Sequence, residues 1–190
     1  VQKARAGSFE LKSYFEDELS ELKNEYLNLK NRLGTQENLK EHDKAKFYSS
    51  YLYSGLRLLS SVEGKNNLES MAKHFDLPLE RTEEMVNFLL KTGLCVREEN
   101  KIIMGKQSTH LDSDSPHLPK HLTNWRIKAL DQLPKAKLSD LHFSASVSLS
   151  GEDFDWVREE MVQLLSKLKD RIETSESQKI AAINLDWFEL

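Results

Sequence analysis

Apolar residues in the first part of the chain recur at alternating steps of four and three between residues 15 and 33. That spacing is typical of an amphipathic helix with coiled-coil periodicity, and Gly34 follows where such a helix would end. The run is shorter than the about three to four heptads of a convincing coiled coil, so the helix either docks on its own domain or binds a partner helix. The candidate partner contacts on this face are Phe15, Leu19, Leu22, Tyr26 and Leu29.

Residues 36–45 are polar and predict a connection, after which an apolar face predicts a second helix over residues 46–62. This helix is rich in aromatic residues, which at helical spacing belong to a core far more often than to a ligand site. The aromatic residues are Phe47, Tyr48, Tyr51 and Tyr53.

Residues 66–104 predict a short helix, a turn, a longer helix and a hairpin. Asn residues precede the short helix as N-caps, and Gly93 is placed to end the longer one. In the hairpin, Leu94 and Val96 alternate inward, and Glu99 begins the turn. Together with the preceding helix, this order is typical of a winged helix. The residues predicted inward on the two helices and the returning strand are Leu68, Met71, Ala72, Phe75, Met85, Val86, Leu89, Leu90, Ile102 and Met104.

The last third begins with a polar linker, residues 107–120, and a helix that ends at Pro134. Residues 143–150 alternate apolar side chains with serines and predict a half-buried strand. Ser150 then caps a helix, and a closing strand carries Trp187 as a further candidate partner contact. Two strands joined by a helix pair in parallel, and two parallel strands alone are marginal, so a second copy of the chain is expected to extend the sheet.

These elements predict an α+β protein that is mostly α. The predicted organisation is an amphipathic helix (1–35), a winged helix (46–106), the linker (107–120) and a helix with a strand-helix-strand unit (121–190).

Composition narrows the function classes. The 190 residues carry a net charge of −4, which gives no support to a generic nucleic-acid or anionic-membrane binder, although it leaves room for a local basic patch. One cysteine excludes an intramolecular disulfide and fits a cytoplasmic protein, and no apolar run is long enough to span a bilayer. The chain begins at Val1 rather than Met, so we expect a processed or excerpted sequence that something once preceded.

The longer helix of the predicted winged helix would be the one that enters a DNA groove. Base and phosphate contacts need Arg, Lys, Asn or hydroxyl side chains. Its first turns instead carry Glu80, Glu83 and Glu84, which would repel phosphates. The candidate nucleic-acid contacts on this helix and the wing are Arg81, Thr82, Asn87, Lys91, Arg97 and Lys101.

Other candidate chemistry is weak. His117 and His121 have a metal-ligand separation, with His110, Asp112 and Asp114 nearby, but Pro119 lies between them and no cysteine joins them, so we expect no metal site. Cys95 has no flanking signature of a nucleophile and is interpreted as a buried thiol. Adjacent carboxylates diverge on a helix, and no phosphate-binding loop or nucleophile motif occurs. We therefore expect no enzymatic activity and no cofactor.

Several stretches resemble one bacterial family, first catalogued as a large paralogous set in Fibrobacter succinogenes and common in Bdellovibrio-type bacteria, with a C-terminal domain of unknown function. The similar stretches are "YLYSGLRLLSS" (51–61), "LLKTGLCVREENK" (89–101), "LTNWRIKALDQLP" (122–134), "HFSASVSLSGEDFDWVREEMVQLLSKL" (142–168) and "AINLDWFEL" (182–190).

The resemblance implies a presumed transcription regulator without an established ligand. Tyr51, Leu52 and Leu58 depart from the residues that the family favours. The upstream helix-turn-helix that family members usually carry is absent from this sequence, which puts direct DNA binding in doubt.

Two functions are therefore expected. The first is a non-enzymatic winged-helix regulator that dimerises through its helical and strand-helix-strand parts and contacts DNA weakly or through a missing N-terminal domain. The second is a protein-interaction or scaffold module that does not itself bind DNA. A small-ligand sensor in the C-terminal unit is a further alternative.

Overall fold

Helices dominate the part of the chain that the computed structural model describes, residues 39–109, 111 and 114–190. Within that part there are six α-helices and one two-stranded antiparallel sheet. The prediction of an α+β protein that is mostly α is therefore confirmed. The amphipathic run over residues 15–33, with its candidate partner contacts, lies outside the described residues, as do His110 and Asp112.

The aromatic stretch forms two helices, α1 (Glu41–Phe47) and α2 (Tyr51–Leu59), so the prediction of one helix over residues 46–62 is wrong. Ser50 separates them because its backbone is extended (φ −148°, ψ 144°) and its hydroxyl oxygen accepts from the Leu52 N–H at 3.2 Å. Serine is among the preferred N-cap residues, and this local bond outweighs continuation of the helical pattern.

Capping residues define the next two helices as predicted. The side chain of Asn67 accepts from the Ser70 N–H at 2.8 Å and begins α3 (Leu68–Phe75). After Pro78 comes α4 (Leu79–Lys91), which is followed by Thr92 and by Gly93 at a φ of +71°. A left-handed residue after a helix favours glycine, which explains why the helix ends there.

The hairpin consists of β1 (Cys95–Glu98) and β2 (Lys101–Met104), joined at Glu99, whose φ is +52°. Its register pairs Cys95 with Met104 and Arg97 with Ile102, so these pairs share one face. Val96 lies on the other face and is 49% exposed, which makes its predicted inward position wrong. The register decides this, since a shift of one residue exchanges the two faces.

The hydrophobic core lies between α1–α4 and the hairpin, and all of its buried residues fall within positions 39–102. Met71, Ala72, Met85, Val86, Leu89 and Ile102 are buried as predicted, while Leu68, Phe75 and Leu90 are partly buried at its margin. The core residues are Leu39, Phe47, Tyr48, Leu52, Leu56, Leu59, Val62, Met71, Met85, Val86, Phe88, Leu89, Leu94, Cys95 and Ile102.

A fifth helix, α5 (Leu118–Gln132), packs on this core and gives way to a 3-10 turn (Leu133–Lys135) at the predicted Pro134. The Asn124 side chain donates to the Tyr48 carbonyl at 2.9 Å, and the Trp125 ring lies 5.7 Å from that of Tyr51. Polar and aromatic contacts therefore fix α5 against the first two helices.

The last helix, α6 (Gly151–Glu173), begins as predicted at Ser150, whose hydroxyl accepts from the Asp153 N–H at 3.1 Å. The strands predicted on either side of it are wrong, because residues 143–149 and 181–187 form no ladder in the described chain. Alternation supplies an apolar face, but a strand also needs a neighbouring backbone to accept its hydrogen bonds.

Side-chain contacts hold the closing segment instead of a ladder. Trp187 packs on Phe154 with ring centroids 5.0 Å apart, and its indole N–H donates to the Phe154 carbonyl at 3.3 Å. Arg126 forms a two-pronged ion pair with Asp186. Trp187 is thus half-buried against α6 in its own chain.

Candidate nucleic-acid interface and partner surface

The solvent face of α4 begins with carboxylates. Glu80, Glu83 and Glu84 are exposed, and Asn87 and Lys91 continue the same stripe one turn apart. The buried face, with Met85, Val86 and Leu89, points into the core and fixes this orientation. The exposed residues of α4 therefore carry three negative charges and two positive charges, Arg81 and Lys91, and the three carboxylates all lie in its first two turns.

Thr82 does not belong to that surface. Its side chain is fully buried, and its hydroxyl donates to the Pro78 carbonyl at 3.1 Å. Its predicted contact with nucleic acid is therefore corrected: a threonine one turn into the helix faces the core because it follows the same stripe as Met85 and Val86.

Arg81 lies at the margin of the exposed face, about 100° around the helix from Glu80. Partial burial raises the pKa of the Tyr51 and Tyr53 hydroxyls, and the nearby Arg81 cation opposes that rise at both. Arg81 is therefore an exposed cation at the side of α4 that lies nearest the tyrosines of α2.

The tip of the hairpin is charge-balanced. Arg97 and Lys101 are exposed, and so are Glu98 and Glu99 between them. The Lys101 ammonium lies 3.9 Å from the Glu63 carboxylate. No excess of positive charge accumulates on this hairpin to attract a phosphate backbone.

A partly buried arginine, which the sequence reasoning did not single out, ties the hairpin to α2. The Arg57 guanidinium donates to the carbonyls of Leu94 at 3.3 Å, Gly105 at 3.4 Å and Gln107 at 2.7 Å, and to the Thr109 hydroxyl at 3.1 Å. Burial lowers the Arg57 pKa, with the Cys95 and Tyr48 groups opposing that change. Its acceptors are neutral, so it acts as a cross-link between segments.

Cys95 is 1% exposed, and its Sγ lies 3.6 Å from the Ser60 hydroxyl. Burial raises the pKa of the thiol, which opposes formation of a nucleophilic thiolate. The position agrees with the interpretation of Cys95 as a buried thiol.

His117 and His121 contact residues of α1 and the tyrosine that follows it. His117 Nε2 lies 2.6 Å from Glu41 Oε1, and the His117 ring stacks on Tyr48 with centroids 6.2 Å apart. His121 meets the same tyrosine edge-on at 5.3 Å. Across residues 39–109, 111 and 114–190 no group of three or more metal-ligating side chains comes together.

The C-terminal part presents an extensive apolar surface. No residue of α5 or α6 is buried, and on α6 Trp156 is 59% and Leu164 50% exposed. A shallow depression of about 350 Å³ follows one side of α6. The residues that line it are Trp156, Val157, Glu160, Met161, Leu164 and Lys167.

Comparison with known proteins identifies a family. A family model described as "Domain of unknown function (DUF4423)" matches residues 30–190. Neither a curated protein nor a solved structure shows significant similarity to the chain. Within the described residues, no helix combines the length and apolar character needed to cross a bilayer.

Proposed function

The chain belongs to the DUF4423 family, and we propose that it is a non-enzymatic regulatory protein of the transcription-regulator type that dimerises and does not read DNA with α4. The observation that carries this proposal is the α4 surface, where three exposed carboxylates occupy the turns that would enter a groove. Affinity for DNA comes mainly from cations on phosphates, so this surface opposes the approach of a duplex.

The element order supports a winged helix as the scaffold. Helices α2, α3 and α4 precede the β1–β2 hairpin, in the order that such domains have. The Ile102 N–H donates to the Asn66 carbonyl at 2.7 Å, so the segment before α3 lies beside β2 as a short third strand would. On this proposal the fold is that of a DNA reader, while the side chains of α4 serve packing.

The exposed apolar side chains of the C-terminal part support dimerisation. Phe143 is 87%, Val147 58% and Ile183 58% exposed, although each belongs to an alternating pattern that implies a covered face. Contiguous exposed apolar surface on a soluble protein marks an interaction site. Residues 138–190 are therefore the proposed partner-binding part of the chain.

A fluorescence-anisotropy titration with random duplex DNA tests the DNA part of the proposal. We expect no saturable binding at about micromolar protein, even at low salt, because the α4 surface is negative. Micromolar binding with a steep salt dependence that is abolished by Arg81→Glu with Lys91→Glu would overturn it. Glu83→Gln with Glu84→Gln is the matched control, since it removes carboxylates that repel DNA phosphates from the same helix and leaves the fold intact.

A second function, a scaffold module that binds another protein, is supported by the exposed apolar residues of α5. Ile127 is 51% and Leu130 64% exposed on the helix that packs on the core. A chain that is monomeric by light scattering and binds no DNA would favour this function over that of a dimeric regulator.

A further inference from the structure

Helix α6 carries an apolar stripe with coiled-coil spacing. Val157, Met161, Leu164 and Leu168 follow one another at steps of four, three and four, and the 23 residues of α6 give a helix about 34 Å long. Leu164, in the middle of this stripe, is half exposed, and the shallow depression lies along it. The stripe is therefore positioned to receive the apolar face of another helix.

One charged residue of each sign borders the stripe on the same side. Glu160 precedes Met161, and Lys167 precedes Leu168, so the two lie two turns apart at equivalent positions of the heptad. Both line the depression. In the described chain neither forms an ion pair, whereas Lys169 pairs with Glu173 at 3.8 Å on another side of the helix.

The two halves of α6 differ in charge. Residues 151–160 carry five carboxylates and one arginine, and residues 161–173 carry three basic residues and two carboxylates. Two such helices side by side repel when parallel, because the acidic halves coincide. When antiparallel they attract, because each acidic half meets the basic half of the other.

We propose that the α6 helices of two copies pair antiparallel about a two-fold axis near residues 162–163. This pairing identifies the contact surface of the dimer proposed above, and it rests on that proposal. Met161 then packs against the partner's Leu164, and Val157 against the partner's Leu168. Glu160 lies opposite the partner's Lys167, and the symmetry repeats the pair. A two-fold interface of this kind is self-complementary and closes at two copies.

The antiparallel register makes a specific charge prediction. In an antiparallel pair the residues that precede the first apolar position of each heptad face one another, which joins Glu160 to Lys167. In a parallel pair Glu160 would face Leu165 instead, and the charge at position 160 would be of little consequence. The sign of these two residues therefore reports the orientation of the helices.

Sedimentation equilibrium of the full chain at low salt tests the pairing with four variants. Glu160→Lys places lysines opposite lysines, and Lys167→Glu places carboxylates opposite carboxylates, so each should raise the dimer dissociation constant by about tenfold. The double variant restores opposite charges and should return it to near the wild-type value. Glu159→Lys, the same charge change on the outer side of α6, is the matched control and should have little effect.

Mixing the two single variants gives an independent outcome. The lysine introduced at position 160 of one chain then meets the glutamate introduced at position 167 of the other, so a heterodimer should form. A wild-type chain that is monomeric at about 100 μM would overturn both the dimer and this pairing.

The remaining outcomes separate the pairing from the dimer. A dimer that is insensitive to both single changes would overturn the α6 pairing while leaving the dimer standing. Dissociation of the single variants without rescue in the double variant would overturn the antiparallel register. Circular dichroism of each variant verifies that its helices are intact.

Discussion

At the scale of single residues, Arg57 shows how a polar group organises an apolar core. Its four acceptors belong to the start of the hairpin and to residues 105–109, which are distant from α2 in sequence. A planar guanidinium directs several donors at once, and here they reach three carbonyls and one hydroxyl of segments that are far from α2 in sequence. Nothing in the motif "GLRLL" distinguishes this arginine from a surface one.

Replacement of Arg57 with Met is expected to lower the free energy of unfolding by about 2–3 kcal/mol, because methionine fills the volume but removes the four hydrogen bonds that tie α2 to Leu94 and to residues 105–109. The free energy of unfolding of Arg57→Lys should lie between those of the wild type and Arg57→Met, since lysine retains the charge and loses the planar fork. Urea denaturation measures the change. Arg97→Met, on the exposed hairpin, is the control and should alter the stability by no more than about 0.5 kcal/mol. An equal effect of both Met variants would contradict the cross-linking role.

At the scale of elements, the same capping chemistry begins α3 and α6, while their surroundings differ. Asn67 caps a helix that contributes Met71 and Ala72 to the core, and Ser150 caps a helix with no buried residue. A cap stabilises its own helix, but it stabilises the folded core only when that helix packs into it. Removing each cap therefore distinguishes the stability of a single helix from the stability of the folded core.

We expect Asn67→Ala to lower the free energy of unfolding of the core by about 1 kcal/mol. Ser150→Ala should cost α6 a comparable amount locally and shift the main transition by less than about 0.5 kcal/mol. Urea denaturation followed by tyrosine fluorescence and by helical circular dichroism compares them. A Ser150→Ala shift as large as that of Asn67→Ala would mean that α6 unfolds together with the core.

At the scale of the whole molecule, the described chain combines a well-packed N-terminal core with a C-terminal part whose apolar residues remain largely exposed. The exposed surface concentrates on α5, α6 and the segments around α6. Such an arrangement is typical of a chain that completes its burial with a partner. This exposed apolar surface favours a function through association with a partner chain over one through a ligand pocket.

Acidification is expected to weaken the attachment of α5 to the core. Partial burial beside Tyr48 lowers the pKa of His121 from its ordinary 6.5. The unfolded chain thus binds the proton more readily, and stability present above pH 6.5 is lost as the pH falls through and below that value. Urea denaturation at about pH 7.5 and about pH 5.5 should show a smaller loss of the free energy of unfolding in His121→Phe than in the wild type, because phenylalanine retains an aromatic ring and does not titrate. An unchanged pH dependence would contradict this role.

The contact of Glu41 with His117 is lost over a lower pH range than the His121 contribution. Its hydrogen bond from His117 holds the pKa of the carboxyl below the ordinary 4.5. The contribution of this contact is therefore complete above pH 4.5 and is lost as the pH falls further, which keeps it separate from the His121 effect.

Sequence by itself determined the features that depend on near neighbours. The helix caps at Asn67 and Ser150, the end of α4 at Gly93, the turn of the hairpin and the buried faces of α3 and α4 all follow from residues within one or two turns of each other. The exposed position of the α4 carboxylates also follows from the sequence, because helical periodicity places Glu80, Glu83 and Glu84 opposite the core.

Tertiary structure alone decided the features that depend on distant segments. The register of the hairpin exposed Val96 and buried Cys95, and the surroundings of Arg57 came from residues about 40 to 50 positions away in sequence. The alternating segments around α6 form no strand in the described chain, because a strand is stabilised by a neighbouring backbone that its own sequence does not supply. Periodicity specifies which face of a segment is apolar, and only the assembled molecule specifies what covers it.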